Sequence, residues 1–122
     1  AVAGVEVVVA APEGYRLEDG VAEQTGDPLA AAAGADALYT DVWVSMGDEA
    51  EADARRAALA PFQLNERLMD VAADRAIALH CLPAHPGEEI TEGVLYGERS
   101  AVWDQAENRL HAQKALLELL IG

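Results

Sequence analysis

Residues 76–85 read Ala-Ile-Ala-Leu-His-Cys-Leu-Pro-Ala-His, a short apolar run followed directly by a thiol and two imidazoles. The apolar part, 76–79, is typical of a strand buried in a parallel sheet. A second run, 35–40, is followed in the same way by a polar cluster that begins at Asp41. Ligands of open α/β sheets bind outside the carboxyl ends of the strands. The sequence therefore predicts that two strand ends face one crevice.

Strand-like and helix-like segments alternate along the chain, which favours parallel pairing. Strands are predicted at 5–11, 20–25, 35–40, 76–79 and 100–103, and the first of these is expected to be buried on both faces. Helices are predicted at 28–33, 48–60, 65–72 and 105–121. The predicted fold class is α/β, an open and mainly parallel sheet flanked by helices.

Capping residues support three of these helices. Asp27 precedes a proline at the start of the first, and Gly34 lies past its end. Asp48 and Glu51 have the spacing of a capping box. Asn65 is placed to cap the helix that follows it.

Length and charge limit the class of protein. A chain of 122 residues is one domain, with 22 acidic against 8 basic side chains and a net charge of −14. Such a charge repels nucleic acid and anionic membrane surfaces, so neither is expected as a partner. The single cysteine cannot form an internal disulfide, and neither a secretory leader nor a membrane span is evident. These features predict a cytoplasmic location.

The last predicted helix has an unusually wide apolar surface toward its end. Its apolar side chains are Ala106, Leu110, Leu116, Leu117, Leu119, Leu120 and Ile121. This surface either packs on the chain's own sheet or docks on another domain or subunit, because it exceeds what one sheet face usually covers. The sequence favours the first alternative and leaves the second open.

Four ordered blocks carry a resemblance to a known family: GADALYTDVWVSMG at 34–47, PFQLN at 61–65, HCLPAH at 80–85 and DQAENRLHAQKALL at 104–117. Together they resemble the second, ornithine-binding domain of ornithine carbamoyltransferases. The combination of the first and third blocks is specific, since aspartate carbamoyltransferases differ at both. The resemblance implies a Rossmann-like domain over 1–122, truncated at its start.

Several features of the family have no counterpart in the chain. Its first domain, with a Ser-x-Arg-Thr phosphate-binding motif and a His-Pro-x-Gln block, is absent, which makes the chain a partial enzyme by this comparison. The helix usual in the region 16–20 is reduced to a few residues. Pro86 stands where arginine is frequent. The last helix, about 105–121, could dock on the missing first domain.

The resemblance implies an activity. The family transfers a carbamoyl group from carbamoyl phosphate to the side-chain amine of L-ornithine, giving L-citrulline and phosphate in arginine biosynthesis or catabolism. It uses no metal and no organic cofactor. The complete enzyme is implied to be a homo-oligomer built on trimers, whereas the isolated chain is expected to be inactive.

The resemblance also implies roles for individual residues. Asp41 faces the ornithine amino groups, and Ser45 and the backbone of Met46 hold the amino-acid head group. Cys81 borders both substrates, and its carbonyl and that of Leu82 receive the carbamoyl NH₂. Without the resemblance, Asp41 would be interpreted as a loop or capping carboxylate and Ser45 as part of a plain turn.

Arg109 is the arginine that matches a substrate residue of the family. It is implied to reach the carbamoyl oxygen and the phosphate, for which a planar guanidinium is suited. An ion pair with Asp104 or Glu107 is the alternative. Trp43 and Trp103 are interpreted as packing residues.

Two other roles for Cys81 need consideration. It could act as a covalent nucleophile if His80 or His85 activated it, but adjacent strand residues point to opposite faces, so His80 is expected to be a buried imidazole instead. A zinc site could use the same residues with Glu88 or Glu89. The spacing offers no second cysteine and disfavours it.

A function of another class stays open at this point. The chain could be a non-catalytic half-domain that binds an amino acid or a full-length subunit. A separate partner chain that supplies the missing phosphate motif would distinguish catalysis from binding alone.

Overall fold

The computed structural model describes residues 4–44 and 51–122. Its strands are β1 (Val8–Ala10), β2 (Glu23–Thr25), β3 (Ala37–Thr40) and β4 (Ile77–His80). Its helices are α1 (Pro28–Ala32), α2 (Ala52–Leu59), α3 (Glu66–Val71), α4 (Glu92–Leu95) and α5 (Val102–Ile121), with a 3₁₀ turn at Ala60–Phe62.

The strands form two parallel ladders. β1 pairs with β2, and β3 pairs with β4 in a register that places Leu38 opposite Ala78 and Thr40 opposite His80. Helices connect and flank these ladders: α1 packs against β1, β2 and α3, and α5 packs against β4. The predicted parallel α/β arrangement is confirmed.

The β3–β4 ladder has a buried inner face and an accessible outer face. Leu38, Ala78 and His80 are buried, whereas Tyr39 and Ile77 are exposed. Paired residues of parallel strands share a face, and successive residues alternate between faces. The outer face thus carries Tyr39 and continues into the residues at the strand ends.

The core lies on the inner face of this ladder, where α1, α3, α4 and the start of α5 meet. Its largest members are Leu38, Leu64, Leu68, Met69, Ile90, Val94, Leu95 and Val102. Leu64 pairs with Ile90 in an isolated parallel bridge, and the amide of Leu64 donates to the Glu89 carbonyl at 2.8 Å. This bridge fastens the segment after β4 to the core.

The predicted caps of α1 and α3 are confirmed. The Asp27 carboxylate accepts from the amides of Leu29 and Ala30, and Asn65 accepts from Leu68. Gly34 has a φ of +71°, the left-handed conformation that favours glycine after a helix. Asp48 lies outside the described residues, and Glu51 makes no side-chain cap to α2.

The first strand differs from its prediction. It covers Val8–Ala10 instead of 5–11, because the partner strand β2 offers only three residues for pairing. Val5, Val7 and Val8 are 58%, 57% and 42% exposed, so the expectation that this strand is buried on both faces is wrong. The connection from β1 to β2, residues 11–22, contains no helix that could cover these side chains.

The predicted strand at 100–103 is also wrong. Ser100 alone forms a bridge, to Ala78, and the amide of Ala101 donates to the Ala78 carbonyl. The chain then turns into α5, whose first residue, Val102, is completely buried. Tertiary packing at a helix start thus overrides the β propensity of Val-Trp. Helix α4, capped by Thr91, is absent from the sequence predictions.

The outer half of α5 is uncovered. Leu110 and Leu117 are 67% and 56% exposed, and exposure continues through Leu119, Leu120 and Ile121. The expectation that this surface packs on the chain's own sheet is therefore wrong, because the sheet ends beside the first turns of α5. Among the described residues, no helix has both the length and the apolar character required to cross a bilayer.

Candidate functional site

The ends of β3 and β4 bring the two predicted site segments together. The Cys81 thiol donates a hydrogen bond to Asp41 Oδ1 at 2.8 Å, and the same oxygen accepts from the Val42 amide at 2.7 Å. The two side chains are 40 positions apart in the chain, so only the parallel register of β3 and β4 makes them neighbours. The predicted convergence of two strand ends is observed.

The environment of Cys81 favours a neutral thiol. Burial is the largest effect and raises the pKa of Cys81; the hydrogen bond to Asp41 and the negative charge of that carboxylate raise it further. The Tyr39 phenol acts in the opposite direction and lowers the pKa of the thiol. Because the thiolate is the nucleophilic form, a raised pKa disfavours a covalent role for Cys81.

A buried histidine–glutamate pair lies under this site. His80 and Glu89 are both 0% exposed, and His80 Nε2 lies 3.1 Å from Glu89 Oε1. The amide of Leu82 donates to His80 Nδ1 at 2.8 Å, which means that Nδ1 carries no proton. Nε2 then carries the ring proton and donates it to Glu89. Glu89 Oε1 also accepts from the backbone amide of His85.

The pair holds the backbone of the segment after β4 in an uncommon conformation. Leu82 has a φ of +57°, which is unfavourable for a residue with a branched side chain, and the Leu82–Pro83 peptide bond is cis. The hydrogen bond from the Leu82 amide to His80 supports this conformation. A positive φ at a non-glycine residue such as Leu82 is a strained conformation, and such residues are concentrated at functional sites, where the surrounding structure maintains them.

The same contacts weigh against His80 as a base or a metal ligand. Atoms of Asp41, His80 and Cys81 lie within 4.8 Å of one another, the geometry of a potential metal group. Both ring nitrogens of His80 are already bound, Nδ1 to the Leu82 amide and Nε2 to Glu89. Asp41 and Cys81 alone would leave a metal underligated. His85 lies near Glu89, with Nδ1 3.8 Å from Oε2.

Arg109 lies beside this segment on α5. It lines an open cleft of about 600 Å³ together with Cys81 and Leu82, a volume in the range of small-molecule sites. Within the described part of the chain, neither Asp104 nor Glu107 forms an ion pair with Arg109; Glu107 lies 3.6 Å from His111 instead. The alternative interpretation of Arg109 as a helix ion pair thus gains no support.

The two tryptophans do not belong to the core. Trp103 is 48% exposed and stacks on Tyr96, with ring centroids 5.9 Å apart, at the wall of the same cleft. Trp43 is half-buried at the edge of the described segment. Ser45 and Met46 lie outside the described residues, so their predicted roles stay predictions.

The structure adds three residues to the site. Tyr39 and Gln105 have no role in the sequence predictions, and Glu89 has a role there only as a possible metal ligand. Gln105 Oε1 accepts from the His80 amide at 3.0 Å, which ties the first turn of α5 to the end of β4. Burial raises the pKa of the Tyr39 phenol, and its contact with Gln105 lowers it. The alternation of β3 could have placed Tyr39 on the face of Asp41.

Comparison with known proteins supports a family assignment. Residues 1–120 match the family described as aspartate/ornithine carbamoyltransferase, Asp/Orn binding domain. The chain belongs to this family. An ornithine carbamoyltransferase of Nostoc punctiforme is 51% identical over the whole chain, and one of Acidothermus cellulolyticus is 54% identical over 99% of it. The crystal structure of ornithine carbamoyltransferase from Thermus thermophilus superposes over 99% of the chain with a TM-score of 0.89 and 45% identity.

The chain corresponds to part of these proteins. It spans 44% of the Nostoc relative, 43% of the Acidothermus relative and 41% of the Thermus chain. The Nostoc alignment runs over 135 positions against 122 residues here, so the relative has residues within the matched region that this chain lacks. The resemblance to the second domain is confirmed, and the fold is that of the family.

Proposed function

We propose that this chain supplies the ornithine side of a carbamoyltransferase site, which transfers a carbamoyl group from carbamoyl phosphate to the side-chain amine of L-ornithine. The observation that carries this proposal is the hydrogen bond between Cys81 and Asp41 at the joined ends of β3 and β4. It occurs in a chain of the Asp/Orn binding family whose relatives at about half identity are named ornithine carbamoyltransferase.

The reaction forms one bond and breaks one. The amine nitrogen bonds to the carbamoyl carbon, and the bond from that carbon to the phosphate oxygen breaks. The protonated amine gives up two protons in total, one to the departing phosphate and one to solvent, and citrulline and hydrogen phosphate result. The proposal requires no metal and no organic cofactor, because positioning and charge stabilisation can supply the rate enhancement.

Asp41 is proposed to bind the cationic amine. Its carboxylate is exposed at the strand end and can only accept hydrogen bonds, which favours an ammonium group over an anion. With Cys81 as a neutral thiol, the Asp41 carboxylate is the group of this pair that attracts the cationic amine. Ser45 and Met46 are proposed to hold the α-amino and carboxylate groups of ornithine.

Leu82 and Arg109 are proposed to act on carbamoyl phosphate. The left-handed backbone at Leu82, supported by His80, would present the Cys81 and Leu82 carbonyls to the carbamoyl NH₂. Arg109 lines the same cleft and would stabilise negative charge that develops on the carbamoyl oxygen and the phosphate.

The chain is proposed to work as a single ornithine-binding domain, residues 1–122, with a carbamoyl-phosphate-binding domain as its partner. The uncovered apolar end of α5 would dock on that domain, since an exposed surface of this size is typical of an interaction site. We further propose a trimer-based homo-oligomer, a cytoplasmic location and a role in arginine metabolism.

Complementation tests this proposal. The 122-residue chain is assayed for citrulline alone and with a separately expressed carbamoyl-phosphate domain from the Acidothermus relative. No citrulline is expected from the chain alone, and activity should rise in proportion to the complex formed. Asp41→Asn should abolish most of this activity. Asp36→Asn should not, because Asp36 is an exposed carboxylate at the opposite end of β3.

Two outcomes would contradict the proposal. Robust citrulline formation by the chain alone would mean that the site is complete without the second domain. A stable complex that binds ornithine yet forms no citrulline would favour the non-catalytic alternative, in which the chain only binds an amino acid or a subunit.

A further inference from the structure

The side-chain amide of Gln63 contacts a backbone turn that lies 24 to 25 positions further along the chain. Its Nε2 atom donates to the carbonyl of Gly87 at 3.1 Å and to the carbonyl of Glu88 at 2.7 Å. An amide nitrogen carries two N–H donors, so both are used on two successive carbonyls. The amides of the same turn donate locally, that of Gly87 to the Ile90 carbonyl and that of Glu88 to the His85 carbonyl. Gln63 thus supplies the long-range part of the hydrogen bonding of this turn.

The residue after Gln63 contacts the next part of the same loop. The Leu64 amide donates to the Glu89 carbonyl at 2.8 Å, and the Leu64 carbonyl accepts from the Thr91 amide at 3.0 Å. Leu64 is buried in the core, so these contacts attach residues 87–91 to the packed interior of the domain. The backbone of Glu89 therefore lies between contacts made by two consecutive residues.

Glu89 is the residue whose position these contacts control. Its buried carboxylate accepts from His80 Nε2 at 3.1 Å, and His80 Nδ1 accepts from the Leu82 amide at 2.8 Å. Partner geometry matters greatly in the interior, because a displaced buried acceptor leaves its donors without a partner. A displacement of the Glu89 backbone would thus reach the Leu82 backbone through the His80 ring.

We propose that Gln63 is a positioning residue, which fixes the Glu89 carboxylate against the His80 ring by holding the two carbonyls of the preceding turn. Through this ring it maintains the backbone conformation of Leu82. The use of that backbone in carbamoyl transfer rests on the proposed function, whereas the placement of the carboxylate does not.

A second contact reaches the same turn, but it depends on a side chain of the turn itself. Arg56 Nε lies 3.0 Å from Glu88 Oε2, and both side chains are partly exposed. Solvent screens such an ion pair, so it contributes little to holding the turn. The two contacts are separable, because replacing the Glu88 side chain removes the ion pair and leaves the Glu88 carbonyl available to Gln63.

The experiment follows the His80 Nε2 proton by NMR in the 122-residue chain with isotope-labelled histidine. His85 and His111 are exposed, so their ring protons exchange rapidly with water, and His85→Asn and His111→Asn check the assignment. Gln63→Met keeps the length of the side chain and removes both donors. Exchange of the His80 proton should accelerate about tenfold relative to exchange of the Ala78 amide, the size expected for the loss of about one hydrogen bond.

The ratio of the two exchange rates separates positioning from general support of the fold. Ala78 is buried in β4, and its amide donates to the Arg99 carbonyl at 2.9 Å, so this amide exchanges when the core opens. An overall loss of stability would accelerate both protons equally and leave the ratio unchanged. Gln63→Asn has a side chain shorter by one methylene, which cannot keep both contacts. It should raise the ratio by a smaller factor, and it provides the test if Gln63→Met does not fold.

Two matched variants test the assignment. Gln24→Met removes another half-buried side-chain amide, which holds the Leu17 backbone through two hydrogen bonds, and Glu88→Ala removes the ion pair but not the carbonyl. Neither should change the ratio. An unchanged ratio in the Gln63 variants, or an equal change in Gln24→Met, would overturn the proposal. A raised ratio with undiminished citrulline formation in the complemented enzyme would support the positioning role and contradict the proposed use of Leu82.

Discussion

The buried pair of His80 and Glu89 offers a sharp test of how the segment after β4 is held. Glu89→Ala removes an acceptor that is 0% exposed and serves both the His80 ring and the His85 amide. Each buried donor left without a partner costs about 1–3 kcal/mol. With two such donors, the His80 ring and the His85 amide, the expected loss is about 2–6 kcal/mol.

This loss is large for a domain whose total stability is of the order of 5–15 kcal/mol. It should appear in urea unfolding, followed by tryptophan fluorescence, as a fall in the midpoint of roughly 2 M for an m-value of about 2 kcal/mol/M. Glu89→Gln should cost less, about 1–2 kcal/mol, because the amide oxygen still accepts a hydrogen bond. Oε2 has no hydrogen-bond partner, so replacing that oxygen removes no hydrogen bond and alters only its 3.8 Å contact with His85 Nδ1.

Glu88→Ala is the matched control. The neighbouring carboxylate is one-third exposed and pairs with Arg56 at 3.0 Å. A solvent-screened pair of this kind contributes about 0–1 kcal/mol. Equal losses for the Glu88 and Glu89 alanine variants, or a loss below about 1 kcal/mol for Glu89→Ala, would refute the argument that the buried pair holds this segment.

Three further predictions concern the proposed reaction, each measured in the complemented enzyme unless stated. Asp41→Asn should raise the KM for ornithine far more than the KM for carbamoyl phosphate. Arg109→Lys should chiefly raise the KM for carbamoyl phosphate, because a lysine ammonium cannot reproduce the planar, forked geometry of the guanidinium group. Steady-state kinetics in which each variant affects the other substrate would contradict both roles. Cys81→Ser should retain part of the activity, because the backbone carbonyls of Cys81 and Leu82 remain, whereas a bulky adduct on the Cys81 thiol should abolish activity. A carbamoyl adduct on Cys81 that forms at the turnover rate, detected by peptide mass in a single turnover, would establish a covalent route instead. Because the pKa of Cys81 is raised, its thiolate fraction at any given pH is smaller than that of free cysteine. Cys81 in the 122-residue chain should therefore be alkylated more slowly than free cysteine at neutral pH, and faster only as the pH increases. Alkylation faster than that of free cysteine would be inconsistent with the thiol environment described.

Local signals in the sequence were sufficient for much of the fold. Asp27 and Asn65 cap the helices that they were predicted to cap, because a side-chain oxygen meets a backbone amide within three residues. The strands that precede Asp41 and Cys81 were recognisable as short apolar runs, and both side chains follow directly from them. The family blocks added the identity of the domain, which no local pattern could supply.

Local patterns failed where a distant partner decided the conformation. The Val-Trp pair at 102–103 has β propensity, yet α5 begins there because Val102 fills the core at the helix start. The valines of the first strand are exposed, although their β-branched apolar run is typical of a buried strand. Neither result can be read from a window of ten residues, since each depends on what packs on the segment.

Three features can be predicted from residues that are close together in the chain: the alternation of strands and helices, the caps of α1 and α3, and the positions of Asp41 and Cys81 after two strands. The hydrogen bond between these two side chains, and the contacts of Glu89 with the His80 ring and of Gln105 with the His80 amide, depend on the folded structure. This difference arises because caps and apolar runs involve near neighbours in the chain. The site, by contrast, is made by the register of two parallel strands and by a helix that returns to them, and both join residues about 25 to 40 positions apart.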